Sequence, residues 1–346
     1  MSPLLSLVGL LLPVAMLPGL MSAGTVPRWT VLAFLVPLML YWVDWRRVPH
    51  KVLLVSILAY AAASLYWIEV VPDGQLELFR LTLLLAVFCV GSVCVSIERC
   101  LTLMAVGVAM TLPLVILQTL GFSGIPQTAP PAGLFLNKNV LAESAALLLI
   151  AMLYLRWWVL SLVLFLIVVL AKEKAAYVGL VAAAIVYVFP RYRIAAYLLI
   201  AASAVGVGLL ISTPSALDRL DIWQDTVNGV TAFGQGVGSF YSMFPYAATH
   251  SNVIVIRPEH AHNEYLHFLF ELGAGSLLIS ALAYYALRGM LELERLLLVF
   301  VMAVAVFAFP LHMPLTAFVA ALVAGRLCGT QYHDQHQTAT GGNCRA

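Results

Sequence analysis

Residues 100–120, CLTLMAVGVAMTLPLVILQTL, carry no charged side chain from Cys100 to Leu120. A bilayer core of about 30 Å takes about 20 apolar residues in a helix, so this stretch is long enough to cross by itself. Runs of the same kind lie on both sides of it. Counting them and the polar breaks between them predicts about 12 spans, approximately 3–23, 29–45, 52–71, 79–97, 100–120, 138–155, 157–171, 175–190, 192–212, 264–288, 295–311 and 314–328. The expected fold is all-α, a polytopic transmembrane bundle forming one domain over 1–328, with a short cytoplasmic tail at 329–346 that reads as disordered.

Composition agrees. Hydrophobic residues make up 63% of the 346 and charged residues 10%, against about 25% charged in soluble domains. A net charge of +2, spread over short loops, argues against nucleic-acid binding. Cys89, Cys94, Cys100, Cys328 and Cys344 show neither a disulfide framework nor metal spacing. The first run, Pro3 to Ala23, lacks a basic leader and reads as a retained span.

Lys and Arg concentrate in loops on one side of a membrane, the cytoplasmic one. Arg46, Arg47 and Lys51, Arg99, Arg156, Arg191 and Arg193, and Arg288 and Arg295 all fall on one side when the amino terminus is cytoplasmic. The opposite side then has one large loop, 213–263. Within it Thr213 and Pro214 resemble a helix start. Leu217, Leu220, Trp223 or Gln224, Val227 and Val230 recur at helical spacing, which predicts an amphipathic helix on the outer leaflet.

Lys172, Lys174, Arg219 and Arg257 are cations on the side where the charge rule does not expect them. They are either ordinary loop charges or an anion site at headgroup level, where Arg forks and Lys point charges hold phosphate. The segment opening the tenth span, His260-Ala-His262-Asn263-Glu264-Tyr265-Leu266-His267, continues to Glu271-Leu272-Gly273. In a regular helix His262, Leu266, Leu269, Gly273 and Ser276 share a face, with Gly273 and Ser276 admitting a neighbouring helix. Glu271 lies on the other face, where a buried pairing role is expected. His250, His260, His262 and His267 raise the possibility of zinc, but no cysteine accompanies them and their spacing matches no strong zinc pattern, so no metal ligand is assigned. Gly234-Gln235-Gly236-Val237-Gly238 looks like a phosphate loop but follows no strand, and is expected to be a flexible turn.

At these residues the chain resembles the O-antigen ligase and O-antigen polymerase superfamily of membrane glycan transferases. His262-Asn263, Gly273 and Ser276 stand at the fixed positions of its histidine motif; Gly133 to Asn139, Arg219 to Trp223 and Gly236 to Phe240 look like its other segments, so the likeness covers roughly 130–290. The resemblance implies a metal-independent, cofactor-free transfer of a glycan from undecaprenyl pyrophosphate to an acceptor hydroxyl, such as that of lipid A-core, on the periplasmic face of a bacterial inner membrane. It makes His262 the general base and Arg219 a pyrophosphate ligand. Lys174 stands where the family has arginine in a Ser-Arg pair, here Glu173-Lys174; Arg257 and Lys172 are further donor-site candidates, and Asn139 belongs to the motif framework. A glycan polymerase or a protein O-oligosaccharyltransferase of the same superfamily shares the donor chemistry. A transporter or flippase would require paired halves with broken helices at mid-membrane, and no internal repeat is visible.

The charge asymmetry predicts that both termini and the 44–51 loop face the cytoplasm and the 213–263 loop faces the periplasm. Membrane-impermeant labelling of single cysteines introduced in these loops checks it; modification of position 262 only after the membrane is opened from the cytoplasmic side would remove the basis for a lipid-pyrophosphate site.

Overall fold

The computed structural model describes residues 1–17, 22–122, 124–125, 127–201, 214–249 and 258–341. They form α-helices, two short 3-10 turns and one isolated bridge, Ala129 to Asn137, with no strand among the described residues. The helices are α1 Ser2–Val14, α2 Val26–Leu40, α3 Lys51–Ser64, α4 Val71–Val93, α5 Glu98–Ala109, α6 Leu112–Thr119, α7 Lys138–Tyr154, α8 Trp158–Ala171, α9 Lys174–Val188, α10 Pro214–Asn228, α11 Phe240–Ala247, α12 Glu264–Leu272, α13 Ser276–Leu287, α14 Glu292–Val304 and α15 Pro314–Gly341. The all-α expectation holds.

The count of spans is coarser than the sequence suggests. Three helical stretches, Val71–Val93, Glu98–Thr119 and Glu264–Leu287, are long and apolar enough to cross a membrane. Five others among the described residues are apolar but shorter, including Val26–Leu40 and Lys174–Val188. Even the run at 100–120, long enough in all, is interrupted: it comprises α5 and α6, joined at Met110–Thr111 ahead of Pro113. Apolar content sets the length of a run, whereas proline and local turns set where the helix inside it stops. Most of the ninth run, 192–212, lies outside the described residues. At the other end α15 continues to Gly341, well into the segment read as a disordered tail.

Helix α7 is the axis of the bundle. Every residue from Leu141 to Met152 is buried, Glu143 included, and a helix apolar all round must be enclosed by others. Helices α8, α5, α9 and α14 surround it, and elsewhere α4 and α15 pack most closely on each other. A Cβ added to Gly91 would strike the Leu322 carbonyl, and one added to Gly325 or Gly329 the carbonyls of Phe88 and Ser92. Gly325 and Gly329 are four apart, the small-residue spacing that lets two helix backbones meet.

Charges gather at the two ends. Arg191 meets Glu292 at 2.7 Å, Arg326 meets Glu294 at 3.1 Å, and His50 stacks on Tyr285 at 4.3 Å. The length of α9, roughly 22 Å at about 1.5 Å per residue, separates this end from Lys174. The other end holds Glu173, Arg219, Glu264 and the His262 segment. Between them the outer walls of the helices carry exposed Phe34, Leu38, Val55, Val159 and Leu162.

Replacing Gly325 by valine should force α4 and α15 apart and lower stability by about 1–3 kcal/mol, the usual cost of overpacking. A drop in the thermal unfolding midpoint of the detergent-purified protein, relative to Val159→Leu on the exposed wall, checks it.

Candidate active site

His262 is not on a helix face. It precedes α12 in a left-handed conformation, φ 51°, and the helix begins only at Glu264, capped by Asn263, whose side-chain oxygen accepts from the Leu266 N–H at 3.1 Å. The continuous face expected from His262 to Ser276 therefore does not form. Asn is a strong N-cap and takes the orphan amides of the first turn, so Asn263 ends the loop and leaves His262 outside.

The helix also breaks further on. Gly273 has φ 51° and ψ −128°, a conformation essentially restricted to glycine, and a single 3-10 turn separates α12 from α13. The break is filled by the glycine-rich loop. The Gln235 and Gly236 N–H groups donate to the carbonyls of Phe270 and Glu271 at 2.9 and 2.8 Å, and Ala274 N–H donates to Ala232 at 2.9 Å. Gly234 and Gly273 touch backbone to backbone, with no room for a Cβ on either. Thus residues 231–238 are a fitted plug rather than the flexible turn expected, and Gly273 admits this loop, not a neighbouring helix. Ser276 Oγ donates to the Gly273 carbonyl at 2.7 Å and steadies the turn. Glu271 has the buried pairing role expected: it accepts from the Phe240 N–H at 3.1 Å and lies 3.2 Å from His267 Nε2.

The amphipathic helix is present as α10. Ile222, Asp225 and Thr226 face inward, while Leu217, Leu220 and Val227 are exposed. Thr213 lies outside the described residues, as do His250 and Arg257. Ile222 joins Phe240, Phe244, Ala261 and Phe270 in a small apolar core that locks α10 and α11 onto α12. Two hydrogen bonds complete the docking: Trp223 Nε1 donates to Ala261 at 3.0 Å, and Arg219 Nη1 donates to Phe307 at 3.1 Å. The 262–264 segment is tied to the same turn by the Glu264 N–H on Ala305 at 2.8 Å, and the His262 ring rests edge-on against Phe309 at 5.2 Å.

His262 and Arg219 are thereby brought together, half-buried. Burial and the adjacent Arg219 guanidinium hold the His262 imidazole down to about 4, so it is neutral and able to accept a proton at pH 7. Lys172 and Lys174 are both exposed on the turn between α8 and α9. Lys172 ends α8 with φ 54°, and Glu173 caps α9 by accepting from the Ala175 N–H at 3.2 Å. Glu143, buried in α7, lies within electrostatic reach of Glu173, Glu264 and Arg219, which sets the 172–174 turn at the Arg219 end of the bundle. Asn139 stands in the first turn of α7, where its N–H donates to the Asn137 side-chain oxygen at 2.9 Å.

Beneath His262 lies a charged cluster that sequence reading did not assemble. His312, from the turn between α14 and α15, lies 2.8 Å from Glu264 and 3.6 Å from Glu77, which pairs with Arg80 at 2.9 Å. Burial opposes a charge on His312, but Glu264, Glu77 and Glu271 overcome it and push the ring up to about 9. Burial, followed by the charges of His312 and His267, pushes His260 well down. An apolar cavity of about 160 Å³ opens beside Glu77 and His312 and runs along Leu81, Phe88, Phe268 and Leu282. The hints in sequence were slight: Glu77 and Arg80 sit three apart at the head of an apolar run, and His312 sits between two such runs.

No protein-family model matches the chain, and no curated protein matches it significantly.

Gly273→Ala should unseat residues 231–238, at a cost of about 1–3 kcal/mol for the strained backbone, while Ser276→Ala should cost less than about 1.5 kcal/mol for one lost hydrogen bond. Hydrogen exchange of the 231–238 amides, fast in the first variant and slow in the second, checks it.

Proposed function

We propose that the chain is a multi-pass membrane glycan transferase of the O-antigen ligase type. It moves a glycan from undecaprenyl pyrophosphate to an acceptor hydroxyl, such as that of lipid A-core, at the periplasmic face of a bacterial inner membrane. The observation that carries this reading is the pairing of a neutral, half-buried His262 with Arg219 at one end of an apolar helical bundle. An acceptor hydroxyl gives its proton to the His262 imidazole as its oxygen attacks the sugar C1. The bond from C1 to the pyrophosphate oxygen breaks, and the charge that develops on the leaving pyrophosphate is met by the Arg219 guanidinium, with Lys174 and Lys172 nearby on the same end. Neither step requires a metal.

Two further features support a lipid-linked donor. The outer walls expose Phe34, Val52, Val55 and Val159, large apolar side chains that lipid would cover. The exposed Leu217, Leu220 and Val227 of α10 suit a helix lying on a leaflet. Of the carboxylates that could serve as base instead, Glu264 and Asp225 are poorly suited, since both are buried and the Asp225 carboxylate is taken up by Thr249 at 2.7 Å, while Glu259 is exposed and is the alternative that remains.

His262→Gln keeps polarity and loses the proton acceptor, so transfer should fall by roughly 100- to 10,000-fold. Arg219→Ala should lose transfer sharply and Arg219→Lys recover only part of it, because a lysine keeps the charge but not the two-pronged geometry. Lys174→Arg should be tolerated. Transfer measured with a polyprenyl-pyrophosphate glycan in proteoliposomes checks these at matched protein levels; near-normal turnover of both His262→Gln and Arg219→Ala rules the reading out. Deleting the gene separates ligase from polymerase, by loss of attachment in the first case and single repeat units on an intact anchor in the second.

A further inference from the structure

We propose that His260, His267 and His312 form a binding site for one divalent zinc ion, with Glu264 and Glu271 orienting His312 and His267, and that this ion pins the loop carrying His262.

The three imidazoles come from three elements: the end of the 213–263 loop, α12, and the turn between α14 and α15. One nitrogen from each lies within 4.8 Å of the others. Their ring centroids stand 4.5, 4.7 and 5.4 Å apart. Three imidazoles on a tetrahedral zinc, at about 2.0–2.1 Å each, have nitrogens about 3.3 Å apart. The observed triangle therefore needs a modest contraction by ring rotation, not a rearrangement of the backbone.

Several polar atoms here lack what a folded interior normally supplies. His260 Nδ1 and both carboxylate oxygens of Glu264 are buried without a well-formed hydrogen bond, although Glu264 Oε1 is 2.8 Å from His312. Buried groups of this kind are rare without an unseen partner such as an ion. Neither carboxylate is a ligand: Glu264 Oε1 faces His312 Nδ1 at 2.8 Å, and a Glu271 oxygen accepts from the Phe240 N–H and faces His267 Nε2 at 3.2 Å. Both contacts are the usual arrangement in which a carboxylate orients a metal-bound imidazole, and the second leaves His267 Nδ1, whose hydrogen bond from the Ala261 N–H is long at 3.5 Å.

The charge balance is compatible with an ion. Glu77, Glu264 and Glu271 contribute three negative charges, and Arg80 returns one positive. One divalent cation balances the remainder, as would protons on two of the histidines, and the two states differ in metal content. Imidazole donors select zinc over magnesium or calcium, which favour all-oxygen sites. The ion touches neither His262 nor Arg219 in this scheme, so the inference does not depend on the transferase reading.

The test uses the full chain, purified in detergent without chelator, with metal content measured by mass spectrometry and again after chelation and reloading with zinc. About one zinc per chain is expected, together with a rise in the thermal midpoint on reloading and a tetrahedral absorption spectrum with cobalt. His260→Asn and His312→Asn should each weaken zinc by more than about 100-fold, beyond the 10- to 100-fold typical of a lost supporting partner, while His262→Asn keeps it. The wild type decides the matter if those variants do not fold. A monodisperse wild type that takes up no zinc from excess, or equal zinc loss in His262→Asn and His312→Asn, overturns the proposal.

Discussion

The break in the helix at Gly273 governs the arrangement of the whole candidate site. A continuous helix would have consumed the carbonyls of Phe270 and Glu271 internally. Because Gly273 turns the chain out of the helix, those carbonyls accept from Gln235 and Gly236 instead. That pairing satisfies backbone groups which would otherwise be buried without partners. The glycine-rich loop is drawn in, and α11 follows it, with the Phe240 N–H on the Glu271 carboxylate. The aromatic core of Phe240, Phe244 and Phe270 then gives α10 a surface on which to seat Ile222. That chain of contacts, with the Trp223–Ala261 and Arg219–Phe307 hydrogen bonds, brings Arg219, distant in sequence, beside His262.

What could be read from the sequence divides along the same line. Apolar runs reveal helices because burial and period are local properties, and α10 was legible because its apolar positions recur every three or four residues. The buried pairing of Glu271 was legible because a carboxylate inside an apolar run has few other fates. The start of α12 only at Glu264 was not, since His262 fits the helical pattern numerically; the one local signal is an Asn at the cap position, and Asn263 serves the histidine motif equally well. Nor could the role of Gly234, Gly236 and Gly238 be read, because their left-handed angles matter only against partners at Ser64, Asp73 and Glu271, far along the chain. The same distance hid His312, which meets Glu264 and Glu77 across three separate elements.

The two charged ends of the bundle are built differently, and the difference bears on function. At the Arg191 end, Arg326 and Glu294 are largely buried, but Arg191 and Glu292 are partly exposed, so water can take up whatever that second ion pair leaves over. An exposed pair of this kind contributes about 0–1 kcal/mol, and its removal changes little. At the His262 end, Glu264, Glu271 and His312 are almost wholly buried. Isolating such charges from water is costly, and replacing them with apolar residues is often neutral or stabilising. Stability alone therefore gives no reason for a bundle so rich in Leu, Val and Ala to concentrate three carboxylates and three histidines beneath one loop. Their arrangement fixes the Asn263 cap, the Glu264 turn and the Phe309 surface against which His262 rests. On the proposed transferase reading His262 is a proton acceptor at a membrane surface, and such a group needs fixing, because misplacement by about 1 Å can cost about 100-fold in rate. The buried charges are then best understood as holding the position of His262, whose own ring remains neutral and accessible above them.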